Sequence, residues 1–401
     1  MDAEVSTVRR GRLDVITGVR FVAALVVFLC HIAIYNFFAP DSAMGGGLKF
    51  LFESGGLMGV SFFFMLSGFV LTWSARSGEG YGRFLRRRLC KMYPNHLATF
   101  ALAMALYAAA DTSFLDSVLN VLLLHSWRPE PGGGNGPSWS LSCDLLFYLL
   151  FPVLLPLIKR IRADRLLWWA AGVVAVILLL PVVAQVLPET PRFPSSYDGT
   201  MLGGVSMYPF WFLLTFPPVR ALDFVLGILI ARLVLTGRFK VSVAQAGLVA
   251  LAGYAVSLVV PFNYTLDAVS VIPMALLIGS VALFESRGGV SWLGSPVMRR
   301  LGEASFAFYL VHEIVILVVR TAIGWDRHLG LLPGLLAVAI AFSVSLGISF
   351  LLYHFVEMPV MRNWAGSRKP APASGSPAPT PALVDEKPVG SGEHGGGAGK
   401  A

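Results

Sequence analysis

Charged residues are scarce in this chain. Only 13% of its 401 residues are Asp, Glu, Lys or Arg, whereas 56% are hydrophobic. A water-soluble protein of this length could not cover so much apolar surface, so a soluble globular enzyme is excluded. A bilayer can cover it, and because lipid offers backbone groups no hydrogen-bond partners, each crossing should be a helix of roughly 20 residues. The composition predicts an all-α integral membrane protein.

Cysteine and the common catalytic motifs are also rare or missing. Cys30, Cys90 and Cys143 are scattered and form no CxxC pair, which indicates neither a disulfide framework nor a zinc site. The chain has no GxSxG elbow, no GxxxxGK[ST] loop, no GxGxxG turn after a strand and no HExxH. We therefore expect no metal and no tightly bound cofactor.

Long hydrophobic runs are present instead. Ten apolar segments lie near residues 17–37, 56–74, 94–110, 140–158, 166–186, 218–236, 243–261, 267–284, 304–323 and 331–355. A further apolar piece at 114–125 is too short to span and should be re-entrant or interfacial. The first segment follows a basic stretch but lacks a cleavage site, so we interpret it as an uncleaved span rather than a secretory signal.

Basic residues alternate between the connections. They cluster before the first segment, before the third, and in the loops between four and five, six and seven, and eight and nine. The positive-inside rule, by which Lys and Arg gather in cytoplasmic loops, therefore explains the net charge of +8. The charge does not indicate nucleic-acid binding. We predict ten transmembrane helices with both termini in the cytoplasm of a multi-pass cell-membrane protein. Residues 1–12 would be a cytoplasmic N-terminus, 13–362 the membrane domain, and 363–401 a disordered tail poor in large apolar residues.

Two ionisable residues stand out in the first segment. Arg20 and His31 are about three helical turns and roughly 16 Å apart on one face. A snorkelling arginine and a structural histidine would account for them, but ionisable groups deep in spans more often mark a functional site. Histidine is also the side chain best suited to move a proton near neutral pH.

Polar residues interrupt three later segments. The entrance to the third is crowded with cations, which indicate either a topology signal with lipid contacts or a phosphate site: Arg83, Arg86, Arg87, Arg88 and Lys91. Ser140, Asp144 and Tyr148 form one stripe at helical spacing, and Asp144 needs a partner, either His31 or an arginine. A structural ion pair and aromatic anchoring by Trp139 remain alternatives. Ser67 suits close helix packing, and Tyr309 and His312 lie in the ninth segment.

Six motifs in order resemble those of the acyltransferase 3 family of integral membrane O-acyltransferases. Arg20 and His31 match its R-x10-H motif, and Arg88 and Lys91 its RxxR-type motif. "SFFFMLSGF", "SWSLSCDLLFYLLFP", "SFAFYLVHE" and "FVEMP" resemble the other four, and the resemblance covers residues 12–362. Lys91 replaces the usual arginine, Asp144 replaces the usual glutamate, and the chain has no SGNH domain.

The resemblance implies transfer of an acyl group from acyl-CoA to a hydroxyl of a sugar, glycan or secondary metabolite such as a macrolide. His31 would be the general base and Asp144 its orienting carboxylate. The cations that would hold acyl-CoA are Arg20, Arg86, Arg87, Arg88 and Lys91, and supporting roles would fall to Ser67, Trp139, Ser140, Tyr148, Tyr309 and His312. A proton-coupled transporter is the alternative, because mid-membrane polar residues suit a carrier equally well.

Overall fold

The chain folds into α-helices joined by short connections. A computed structural model describes residues 11–39, 41–76, 78–129, 133–194 and 201–365, and it contains no β-strand within those ranges. The helices are α1 Asp14–Ile34, α2 Ala43–Trp73, α3 Tyr81–Ala103, α4 Phe114–Val121, α5 Trp139–Lys159, α6 Leu166–Val183, α7 Met207–Phe210, α8 Pro217–Leu235, α9 Val243–Ser257, α10 Phe262–Thr265, α11 Ala268–Ser286, α12 Pro296–Ile323, α13 Leu331–Leu351 and α14 Met358–Trp364. The predicted tail from residue 366 onward and the first ten residues lie outside the described ranges.

Each of the ten apolar segments coincides with a helix, and seven of these helices are long and apolar enough to cross a membrane. The protein is therefore a multi-pass membrane protein. The other three helices fall short for simple reasons: α3 carries the basic run, α8 carries three charged residues in 19, and α9 has only 15 residues. Ten spans and cytoplasmic termini remain predictions. The short segment at 114–125 forms α4, a helix of eight residues, in keeping with its predicted inability to span.

Contacts between helix ends show which of these ends lie on the same side of the bundle. The Trp73 indole donates to the Gly11 carbonyl, and the Val15 amide donates to Glu285. Arg86 binds the carbonyl of Trp364. These contacts bring together the start of α1, the end of α2, the start of α3, the end of α11 and the end of α14. Because this end carries the basic connections, we call it the basic face and its counterpart the opposite face.

Glycines allow α2 and α8 to pack backbone against backbone. A Cβ atom on Gly68 would lie 2.0 Å from the Phe224 carbonyl oxygen, and one on Gly227 would lie 1.9 Å from that of Met65. No Cβ atom fits at either distance, so both positions of this crossing require glycine. The α2–α8 contact, together with α1 packed on α2 and α12, forms the centre of the bundle.

A buried ion network, which the sequence interpretation missed, joins α2, α8 and α11. Arg220 lies 2.7 Å from Asp223 and 2.9 Å from Asp267, and it also donates to the Ser61 hydroxyl. Ser61 in turn donates to Asp267. All four residues are buried, so each charge relies on the others for neutralisation.

Candidate active site

Helix α1 contributes to two cavities, one toward each face of the bundle. Arg20 lines a cavity of about 160 Å³, which we call the inner cavity. His31, about three turns further along, lines a cavity of about 310 Å³, which we call the outer cavity. Val60 and Tyr309 line both. The helical spacing of Arg20 and His31 therefore assigns them to neighbouring compartments rather than to one site.

The inner cavity collects most of the predicted polar residues. Its walls come from α1, α2, α3, α5 and α12. Eight of the thirteen residues singled out from sequence line it: Arg20, Ser67, Arg88, Lys91, Ser140, Asp144, Tyr148 and Tyr309. The stripe on α5 predicted from the i, i+4 spacing thus faces a single cavity, which confirms that Ser140, Asp144 and Tyr148 share a helix face.

Positive charge in the inner cavity is incompletely neutralised. Among the described residues, none of Arg20, Arg88 and Lys91 has a carboxylate oxygen within ion-pairing distance. Asp144 interacts with the Ser67 hydroxyl and feels the charges of Arg20 and Arg88. Glu357, from the closing "FVEMP" motif, accepts a 2.7 Å hydrogen bond from Asn95, and its charge acts on Lys91. Three cations and one carboxylate line this cavity, which suits it to an anionic ligand.

Two of the predicted cations lie elsewhere. Arg86 is exposed and binds the Trp364 carbonyl. Arg87 pairs with Glu79 at 2.9 Å and lines a separate depression on the basic face. Helical geometry explains the difference, because only Arg88 and Lys91, three residues apart on α3, face the cavity together.

Hydrogen bonds around His31 determine which of its nitrogens can act as a base. The His312 Nδ1 lies 2.6 Å from the Tyr309 carbonyl oxygen, so it must donate, and its Nε2 is left as an acceptor. The His31 Nδ1 lies 2.9 Å from the Val27 carbonyl oxygen and 3.3 Å from that His312 Nε2, so it also carries its proton. This network therefore assigns the lone pair of neutral His31 to Nε2.

The carboxylate beside His31 is Glu313. Its Oε2 lies 3.9 Å from the His31 Nε2, and its Oε1 accepts a hydrogen bond from the Tyr35 hydroxyl. A Cβ atom on Gly136 would lie 2.2 Å from Oε2, so the glycine lets the connection before α5 pass directly over the carboxylate. Asp144 and His31 line different cavities, and the structure does not bring them together. We therefore revise the expected pairing: an arginine environment, the alternative drawn from sequence, surrounds Asp144.

The outer cavity is lined largely by apolar and aromatic side chains. Trp139, another of the predicted residues, shares this lining with Leu57, Phe193, Phe210 and Leu214. The indole of Trp211 donates to the Ser126 carbonyl, and this bond joins the segment before α8 to the connection between α4 and α5. Trp139 and Tyr309, two of the predicted aromatic residues, thus line the cavity that contains His31.

Two residues with clear contacts were not assigned roles from sequence. Glu313 follows His312 in the "YLVHE" stretch, but its direction depends on the rotation of α12 against α1. His125 is buried between the hydroxyls of Ser138, 3.2 Å from Nε2, and Ser142, 3.4 Å from Nδ1. The only sequence signal for both was a titratable residue among apolar ones. The described ranges contain no group of three or more His, Cys, Asp or Glu able to hold a metal ion.

The helical bundle thus holds a basic cavity and, beside it, a cavity that contains a histidine. Residues 13–354 match the model of the acyltransferase 3 family, described as an acyltransferase domain. The chain belongs to this family and is an acyltransferase, which decides against the transporter alternative. The resemblance seen in its motifs is thereby confirmed.

Two curated proteins are similar in sequence to most of the chain. It is 41% identical to Acyltransferase MdmB of Streptomyces mycarofaciens over 393 residues, which cover 94% of this chain and 97% of the relative. It is 28% identical to Exopolysaccharide production protein ExoZ of Rhizobium meliloti (strain 1021) over 337 residues, 80% of this chain and 95% of that protein. No solved structure matches the chain.

Proposed function

We propose that this acyltransferase moves an acyl group from acyl-CoA to a hydroxyl of a sugar, glycan or secondary metabolite such as a macrolide, with His31 as general base. One observation carries the proposal: a single helix presents a cation to the inner cavity and a histidine to the outer cavity, and the two cavities share Val60 and Tyr309. A donor entering from the basic face and an acceptor in the outer cavity would meet at this shared wall.

The donor would bind through its phosphates at the basic end of the inner cavity. Arg20, Arg88 and Lys91 supply charge-assisted hydrogen bonds, and the Nε atom of Arg88 is buried without a partner in the described structure. The thioester would then point away from these cations toward Tyr309. This arrangement keeps the negatively charged nucleotide out of the apolar centre of the bundle, where burial of charge is costly.

The acceptor hydroxyl would give its proton to the Nε2 of His31. As it does so, its oxygen attacks the thioester carbonyl, an oxygen–carbon bond forms, the carbon–sulfur bond breaks, and the coenzyme leaves as a thiolate. The imidazolium returns the proton to that thiolate and regenerates neutral His31. A positioned general base of this kind contributes roughly 10²–10⁴-fold to the rate.

Glu313 would stabilise the transient imidazolium. The 3.9 Å between its Oε2 and the His31 Nε2 is an ion-pair distance, and the Tyr35 hydroxyl fixes the other oxygen. This is the role that a carboxylate plays beside a catalytic histidine. Asp144, interacting with Ser67 and close to the charges of Arg20 and Arg88, would instead set the charge balance of the inner cavity.

The lining of the outer cavity favours an amphipathic acceptor over a bare glycan. Aromatic and aliphatic side chains such as Trp139, Phe210 and Leu214 suit the apolar body of a secondary metabolite, with its hydroxyl directed to His31. A relative named for exopolysaccharide production matches at lower identity than one named only as an acyltransferase. We therefore favour a macrolide-like alcohol.

The test uses purified protein in lipid nanodiscs with radiolabelled acetyl-CoA or propionyl-CoA and a macrolide carrying free hydroxyls. We expect labelled macrolide, heavier by one acyl group, together with one equivalent of free thiol. The His31→Gln variant should lose at least about a hundredfold of this activity. Thiol release with no acylated product, or equal product from the variant, would contradict the proposal.

A further inference from the structure

The connection that enters α5 lines the outer cavity over five consecutive residues. These residues, 133–137, read Gly-Gly-Asn-Gly-Pro, and Asn135 supplies their one hydrogen-bonding side chain. A Cβ atom on Gly136 would meet the Glu313 carboxylate, whose Oε2 lies 3.9 Å from the His31 Nε2. Asn135 therefore lies one residue from the point at which this connection packs on the carboxylate beside the base.

The backbone of this connection is held in place by hydrogen bonds. The Asn120 amide donates to the Gly133 carbonyl at 3.0 Å, and the Ser138 hydroxyl donates to the Asn135 carbonyl at 2.6 Å. Between them, Gly134 has a φ of +105°, a conformation that residues with a Cβ atom rarely adopt. These features fix the position of the Asn135 side chain, as recognition of a substrate requires.

The Asn135 side chain leaves its oxygen without a hydrogen bond. Its Nδ2 donates to the Leu310 carbonyl of α12 at 2.9 Å, which assigns the other terminal atom as the oxygen. The residue is only 2% exposed, and no described residue donates a hydrogen bond to its Oδ1. A buried oxygen without a hydrogen-bond donor is destabilising, so its presence in the wall of a ligand cavity calls for a functional explanation.

We propose that the Asn135 Oδ1 accepts a hydrogen bond from a second hydroxyl of the acceptor, beside the hydroxyl that His31 deprotonates. This inference rests on the proposed function, because it assumes that the acceptor reacts at His31. Since Asn135 directly precedes the glycine that packs on Glu313, the two hydroxyls should lie on neighbouring carbons, as they do in a sugar. The acceptor is then an amphipathic molecule that presents a vicinal diol, such as a macrolide with a sugar substituent.

The apolar and polar walls of the outer cavity contribute differently to recognition. Leu57, Phe210 and Leu214 suit the apolar body of the acceptor, but such walls discriminate weakly between molecules that differ by one hydroxyl. A buried oxygen discriminates strongly, because an acceptor without the second hydroxyl leaves it unpaired. Asn135 is thus a residue that determines specificity and takes no part in the proton transfer.

The test measures kcat/KM for two macrolides that differ in one group. One carries a sugar with two adjacent hydroxyls, and in the other the hydroxyl that is not acylated is replaced by hydrogen. We expect the wild-type protein to prefer the diol by about tenfold or more, and Asn135→Ala to prefer it by less than about twofold. A general loss of activity affects both macrolides equally and leaves this ratio unchanged.

Two further variants isolate the Asn135 oxygen. Asn135→Asp keeps an oxygen but has no amide to donate to the Leu310 carbonyl, and it should retain the preference for the diol. Thr215→Val is the matched control, because Thr215 also lines the cavity but its hydroxyl donates to the Trp211 carbonyl at 3.3 Å. It should retain the preference as well. Loss of the preference in either variant would assign it to the shape of the cavity and overturn the role of Asn135.

Binding in the absence of acyl-CoA separates failure of this inference from failure of the proposed function. The radiolabelled diol macrolide should bind the wild-type protein in nanodiscs about tenfold more tightly than its deoxy analogue. Such a preference in binding without any acyl transfer would retain the role of Asn135 and overturn the proposed function. Acyl transfer at equal kcat/KM to both macrolides, or an unchanged preference in Asn135→Ala, would overturn the role of Asn135.

Discussion

At the scale of single residues, the site depends on which carboxylate faces which partner. Glu313 lies beside His31, and Asp144 lies near cations in the other cavity. Sequence spacing predicted the α5 stripe, because residues four apart share a helix face. It could not predict the His31–Glu313 pair, because 282 positions separate the two residues and their contact depends on how α1 and α12 rotate against each other.

Substitutions of these two carboxylates should therefore change different kinetic constants. We expect Glu313→Gln to lower kcat by at least about tenfold with little change in KM for acyl-CoA, since a neutral amide does not stabilise an imidazolium. Asp144→Asn should mainly change KM for acyl-CoA, because it alters the charge around Arg20 and Arg88. Steady-state kinetics on both variants gives the comparison, with Glu313→Asp as the charge-conserving control. A kcat loss confined to Asp144→Asn would reverse the assignment.

The donor cations give a second residue-scale prediction. Arg88→Gln should raise KM for acyl-CoA by about tenfold or more, because a charge-assisted phosphate contact is lost in a site shielded from water. Arg300, an exposed arginine on the basic face, provides the control, and Arg300→Gln should leave KM unchanged. Equal shifts in both variants would indicate a general surface-charge effect rather than a site.

At the scale of helices, the sequence predicted where the helices lie along the chain but not the polar contacts between them. All ten apolar segments became helices because hydrophobic runs in lipid must satisfy their own backbone groups. The Arg220 network went unpredicted, because Asp223 lies one turn away while Ser61 comes from α2 and Asp267 from the turn before α11. Contacts of that kind follow from packing, which no single segment encodes.

The Arg220 network should be required for assembly of α2, α8 and α11. Arg220→Ala leaves two buried carboxylates without their cation, and loss of one member of such a network costs about 3–5 kcal/mol. We expect a clear fall in the thermal unfolding temperature measured by fluorescence size-exclusion chromatography. Arg162→Ala removes one member of an exposed ion pair and should have almost no effect. Comparable stability of the two variants would refute a structural role for the buried network.

At the scale of the whole molecule, the clustered cations and His31 lie toward opposite faces of the bundle. The basic connections, the inner cavity and the depression lined by Arg87 lie toward one face, and His31 lies toward the other. By the positive-inside rule the basic face should be cytoplasmic, where acyl-CoA is made available. The sequence predicted this polarity from its loops, but the division into two cavities required the three-dimensional arrangement.

Orientation can be tested with reporter fusions along the chain. A fluorescent protein that matures only in the cytoplasm should fluoresce when it is fused after Lys240 or Arg362. The same protein fused after Val260 or Gly324 should not fluoresce. A periplasm-active phosphatase should give the inverse pattern at the same four positions. Reversed activities at these positions would place the basic face outside and would deprive the inner cavity of its expected donor.

The central claim is that acyl transfer depends on His31. Its most direct measurement is mass spectrometry of extracts from cells that carry the wild-type gene, no gene, or the His31→Gln gene at matched protein levels. We predict one hydroxylated metabolite that gains the mass of a single acyl group only with the wild-type gene, and a signal at least about a hundredfold lower with His31→Gln. An acylated product at comparable levels in the His31→Gln cells would contradict the account.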